Sequence, residues 1–224
     1  MKILGMCTAF SCGYVGVFDE NGKVFAQKIL QSKCKQSENF LPAIDQILTE
    51  TNLSIEDIDA LAVVVGPGSF TGIRIGLSIA KAFMTAFENI KAIRLNTLEL
   101  LAFSAEQEHN AKLPLACINA LSGNIFVSKL DGDKVVLQPQ MISVSSLENV
   151  AHGDFGYCAQ DDAQFFGEKC KVVDWTKFLP TLAAKKAKNN QFVCEGELLP
   201  LYLRLSQAES QLLEKEKNES NTTN

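Results

Sequence analysis

Gly66-Pro67-Gly68-Ser69-Phe70-Thr71-Gly72-Ile73-Arg74-Ile75-Gly76 lies between an unbroken apolar run, Ala60–Val65, and the longest helical pattern of the chain, Thr71–Glu88. An apolar run without alternation is the mark of a strand buried on both faces. The glycine stretch therefore reads as a strand-to-helix connection of an α/β fold. It is not a Walker loop, because Ile73 and Arg74 follow Gly72 where Lys and Ser/Thr would hold phosphate and magnesium. Its third glycine comes one residue late for a dinucleotide GxGxxG, and no GxSxG elbow is present. Gly66, Gly68, Ser69, Thr71 and Gly72 could turn main-chain N–H groups toward an anion at the helix start. The same glycines equally suit a tight turn with close helix–sheet packing. The sequence leaves both readings open.

The helix that follows carries more apolar surface than one sheet requires. Arg74, Ser78, Lys81, Thr85 and Glu88 form a single narrow polar stripe. Ile73, Gly76, Leu77, Ala80, Phe83, Met84 and Phe87 make one apolar face, and Ile75, Ile79, Ala82 and Ala86 make another. The second face either packs inside the chain or meets a partner helix, to which Gly72, Gly76 and Ala80 would allow close approach.

Upstream, Lys2–Thr8, Tyr14–Asp19 and Val24–Leu30 read as a three-strand meander, with a hairpin turn at 20–23. A helix over Ser37–Thr51 follows, in which Pro42 predicts either a start near Leu41 or a bend. Ser54 and Asp57 cap a short turn, Ala92–Leu95 is a strand, and Asn96 with Glu99 caps a helix reaching about Glu108. After Pro114 the pattern restarts as Leu115–Asn119, Ile125–Leu130 and Lys134–Gln138. This repetition predicts a duplicated fold: residues 1–110, residues 111–206, and a polar tail at 207–224 expected to be disordered. Within the second half, a helix at Ser145–Val150, strands at Phe155–Cys158 and Lys171–Val173, and a helix at Lys177–Lys188 are predicted.

Composition narrows the function classes. The 224 residues are 46% hydrophobic and 21% charged, with a net charge of −5, so there is a core to bury and no broad basic field for a nucleic acid. Lys185-Lys186-Ala187-Lys188 is the one dense basic run, and the end of a helix is its simplest reading. His109 and His152 are too far apart for a paired-histidine metal motif, and the seven cysteines contain no CxxC pair. No metal site is expected. No apolar run approaches the roughly 18 residues of a spanning helix, and irregular cysteines suit a reducing cytoplasm.

The run GPGSFTGIRIG, the N-terminal ILGMCTA, SENFLPAIDQIL, NTLELLA and the late PLYLR together resemble the TsaB family, from about Lys2 to Arg204. The resemblance implies the actin-like, Hsp70-like ATPase fold (ASKHA, RNase H-like), with two subdomains each opened by a meander. It implies a non-catalytic subunit in the transfer of threonylcarbamoyl to N6 of adenosine 37 in tRNAs reading ANN codons. The implied partners are a TsaD-like catalytic subunit and a TsaE-like ATPase, with tRNA reached through the complex and a homodimer possible when isolated. ATP and threonylcarbamoyl-adenylate would serve the assembled complex, none being held by this chain alone. Helices 37–51 and 71–88 would form the partner surface, through Phe40, Ile44, Ile47, Ile75, Ile79, Ala82 and Ala86. Where the family pattern places aspartates at two strand turns, this chain has Cys7 and Asn119, and Gln36 stands at a usual histidine. An active nucleotide-dependent enzyme, the alternative, would need carboxylates that those turns lack.

Overall fold

The computed structural model describes residues 1–31, 35–151 and 155–204. The expected tail at 207–224 and His152 lie outside them. Strands β1 (Lys2–Cys7), β2 (Gly13–Asp19) and β3 (Val24–Leu30) form the first meander. Then come α1 (Gln36–Glu50), β4 (Ala60–Val64), α2 (Phe70–Ala86), β5 (Lys91–Leu95) and α3 (Thr97–His109). The second series is β6 (Leu115–Asn119), β7 (Asn124–Asp131), β8 (Lys134–Ser143), α4 (Leu147–Ala151) and β9 (Gly156–Cys158). It closes with α5 (Ala163–Phe166), β10 (Cys170–Val172) and α6 (Trp175–Lys188).

The two sheets repeat one topology. The first runs β3-β2-β1-β4-β5 and the second, read from its matching edge, β8-β7-β6-β9-β10. In each, the meander pairs antiparallel and its first strand then pairs parallel with the fourth. This is a duplicated α/β fold. β1, β2 and β4 are buried almost throughout, as their uninterrupted apolar runs require. α3 and α6, each following the fifth strand of its sheet, pack on one another between the halves.

Contacts cross freely between the halves. Leu179 of α6 rests over Gly5 of β1, where a Cβ would come within 2.9 Å of it, and Trp175 stacks on Phe10 with centroids 4.5 Å apart. The segment after α6 returns to the first sheet. Val193 bridges to Ala92, and the Leu201 amide donates to the Val65 carbonyl at 2.8 Å.

Three elements differ from the sequence reading. α1 begins at Gln36 rather than near Leu41 and runs through Pro42, which cannot donate to the Glu38 carbonyl. β8 continues through Pro139 to Ser143, tolerable because it is an edge strand. α6 starts at Trp175, capped by Asp174, whose carboxylate accepts from Thr176.

Candidate functional site

A cleft of about 870 Å³ opens between the halves. Its walls are the β1–β2 turn (Ala9, Phe10, Ser11), the glycine loop (Pro67 to Thr71), the β6–β7 turn (Ile118 to Ser122), Asp161 with Asp162, and the C-terminal strap Leu201 to Arg204. Apolar side chains, among them Phe10, Ile118 and Phe126, face the polar groups of the turns.

The glycine loop is built to sit on the β1–β2 turn. The Ser69 amide donates to the Ala9 carbonyl at 2.8 Å, and the Ser69 hydroxyl caps α2 by accepting from Gly72 N–H at 3.1 Å. A Cβ on Gly72 would stand 1.9 Å from the Thr8 carbonyl oxygen, so only glycine allows this approach. Gly66 has φ +109°, a conformation side chains disfavour. Gly66 and Gly72 thus owe their type to backbone conformation and close packing and Ser69 caps α2, while Gly68, Ser69 and Thr71 line the cleft.

At the two turn positions where the resemblance implies aspartates, the chain carries no charge. Cys7 is buried, and burial pushes its thiol up to about 12, so it stays protonated and packs as a small hydrophobe. The Asn119 side chain accepts from the Leu121 amide at 2.9 Å, closing its own turn. Gln36, at the usual histidine position, donates through Nε2 to the Phe10 and Ser11 carbonyls at 3.0 and 3.1 Å. It ties α1 to the β1–β2 turn.

Two carboxylates nevertheless enter the cleft, from a loop the sequence reading passed over. Asp161 accepts the Ser11 amide at 3.2 Å across the two halves, and Asp162 accepts the Asn119 amide at 3.0 Å. The absence of carboxylates at the strand turns therefore does not make the cleft free of them. Their signal in the sequence is positional: β9 repeats β4, so the residues after β9 stand opposite the glycine loop. Burial raises Asp162 to about 6, with Asp161 adding to the rise and the Asn119 amide opposing it. A carboxyl whose folded value lies above its unfolded one weakens the fold as pH rises through about 4 to 6, and its full cost is present at pH 7. Asp162→Asn keeps an acceptor for Asn119 and removes the charge. It is expected to raise stability at pH 7 by about 1–2 kcal/mol, solvent screening allowed for, with the gain gone by about pH 4 in denaturant titrations.

The outward helical surface divides clearly. Phe40, Ile44 and Ile47 of α1 are at most 2% exposed, turned into the core against the sheet, so they do not present themselves to a partner. Leu41, 53% exposed, and Pro42 take that place, and Ile44 only floors a groove shared with Leu48, Leu53 and Phe83 of α2. On α2, Ile75 and Ile79 are partly exposed and Ala82 and Ala86 exposed, whereas Gly72, Gly76 and Ala80 are buried, Gly72 and Gly76 against Thr8, and so do not offer a partner helix the close approach expected of them. The apolar groove that reaches α2 at Phe83 measures about 730 Å³.

The remaining candidates are structural. Lys185 pairs with Asp133 at 2.6 Å and Lys186 with Glu99 at 2.8 Å, which leaves little of the basic run for a phosphate backbone. His109 donates through Nε2 to the Val172 carbonyl at 3.2 Å on the α3 side of the second sheet, so the described residues do not fit a two-histidine metal centre. Among them no group of three His, Cys, Asp or Glu is placed to hold a metal ion.

A family model described as TsaD, tRNA N6-adenosine threonylcarbamoyltransferase, matches residues 28–194. The chain is 32% identical to the tRNA threonylcarbamoyladenosine biosynthesis protein TsaB of Escherichia coli over 152 residues, 63% of this chain and 64% of that one. It is 26% identical to TsaB of Bacillus subtilis over 214 residues, 87% and 90% of the two chains. The matched segment thus spans slightly less than two thirds of the E. coli relative. Among solved structures, YeaZ from Pseudomonas aeruginosa superposes with TM-score 0.74 at 21% identity, covering 90% of this chain and 99% of that one, a likeness of fold.

Proposed function

Because the chain belongs to the TsaD family as a TsaB/YeaZ-type member, we propose that it is a non-catalytic subunit of the machinery that places threonylcarbamoyl on N6 of adenosine 37 in tRNAs reading ANN codons. The observation that carries this reading is the outward face of α2. Ile75, Ile79, Ala82 and Ala86 form an apolar stripe of two isoleucines and two alanines, next along α2 to Phe83 of the apolar groove, a surface against which a partner helix can pack.

In this reading the partner is a TsaD-type catalytic subunit, joined by a TsaE-type ATPase in the cytoplasm. The free chain uses the same face to pair with a second copy. ATP and threonylcarbamoyl-adenylate are handled by the assembled complex, and tRNA is held through it, in keeping with the net charge of −5 and the paired Lys185 and Lys186.

A nucleotide-dependent enzyme of the same fold is the second reading, favoured only by Asp161 and Asp162 in the cleft. Both carboxylates already accept main-chain amides, and Cys7 and Asn119 add no charge beside them. This chemistry does not suit a metal–triphosphate pair. The scaffold reading predicts that the chain and the TsaD-type protein of the same organism co-elute in size-exclusion chromatography at micromolar concentration. Two separate peaks would contradict it.

A further inference from the structure

The turns that face the cleft are tied down by the chain itself. The β1–β2 turn is pinned from both sides: Gln36 holds the Phe10 and Ser11 carbonyls, and Asp161 holds the Ser11 amide from the opposite half. The adjacent Asp162 takes the Asn119 amide of the β6–β7 turn. Two neighbouring side chains on the β9–α5 loop therefore occupy a main-chain donor on each of the two turns that face the cleft. Arg204, the strap's cation in the cleft wall, donates from Nη1 to the Ala120 carbonyl at 3.1 Å.

We propose that Asp161 and Asp162 are a built-in carboxylate clip: they satisfy from within the donors that an anionic ligand would use, hold the halves together without one, and keep phosphate-bearing molecules out of the cleft. Asp161 is the member that spans the halves. A fixed negative charge at the Ser11 amide both occupies the donor and repels a second anion. The inference concerns the cleft and stands apart from the partner surface on α2.

The test uses the full chain and inorganic pyrophosphate, followed by calorimetry and by the amide signal of Ser11 in nitrogen–proton spectra. The wild-type chain is expected to show no saturable uptake at millimolar pyrophosphate and an unmoved Ser11 signal. Asp161→Ala, which empties the donor, is expected to bind at least about tenfold more tightly, with Ser11 shifting as the site fills. Asp161 is exposed, so the variant should fold. If it does not, Asp161→Asn, which leaves an acceptor for Ser11 but removes the charge, takes its place and is expected to bind pyrophosphate more tightly than the wild-type chain through the lost repulsion; no gain in that folded variant overturns the proposal. Uptake equal in wild type and variant, or a folded variant that gains none, overturns the proposal.

Discussion

Gly72→Ala is expected to cost at least about 3 kcal/mol and to lower the melting temperature by roughly 10 °C. The added Cβ would lie 1.9 Å from the Thr8 carbonyl oxygen, a main-chain atom that cannot rotate aside. Either α2 lifts from the sheet or the β1–β2 turn moves, and both loosen the Ser69–Ala9 bond that seats the glycine loop. Gly196→Ala is the control, since nothing lies within 4 Å of its Cβ position. A melting curve for Gly72→Ala matching that control would show that the loop tolerates a side chain and that its glycines serve something other than packing.

The second large effect is on assembly. Ala82→Glu should change the stability of the free chain by no more than about 0.5 kcal/mol, because Ala82 is exposed and glutamate is a good helix former. It should weaken binding to the TsaD-type partner by about a hundredfold or more. An unpaired carboxylate taken out of water in a helix–helix contact costs several kcal/mol. Ile47→Glu should behave oppositely and unfold the chain, since Ile47 is 1% exposed beneath α1. Circular dichroism with a pull-down separates the two variants.

Much of the fold was legible because its signals were local. β1, β2, β3 and β6 follow runs of the expected length, and Asn96 with Glu99 forms the capping box that the spacing predicts. The tandem meanders gave away the duplication. The second half was harder to read because β9 and β10 have only three residues each and α5 four, too short to display a period.

The site was legible in one respect and misread in two. Cys7 and Asn119 were marked as uncharged turn positions through the family resemblance, and they stand at the ends of β1 and β6. Phe40, Ile44 and Ile47 were assigned outward because an apolar stripe does not say which surface it faces. The sheet claimed that stripe, and Leu41 and Pro42 were left outside. Asp161 and Asp162 were missed because their partners, Ser11 and Asn119, are 150 and 43 residues away in the chain. Only the repeated strand order brings them to the cleft.

The central claim is that this chain supports threonylcarbamoyl transfer without performing it. It is tested most directly by reconstituting the modification of tRNA from the TsaD-type protein, the TsaE-type ATPase, the carbamoyl-adenylate donor and this chain, each omitted in turn. The account predicts sustained product with the wild-type chain and none with Ala82→Glu or without the chain, and no transfer by the chain alone. Full activity in its absence, or transfer by the chain without the TsaD-type subunit, would contradict it.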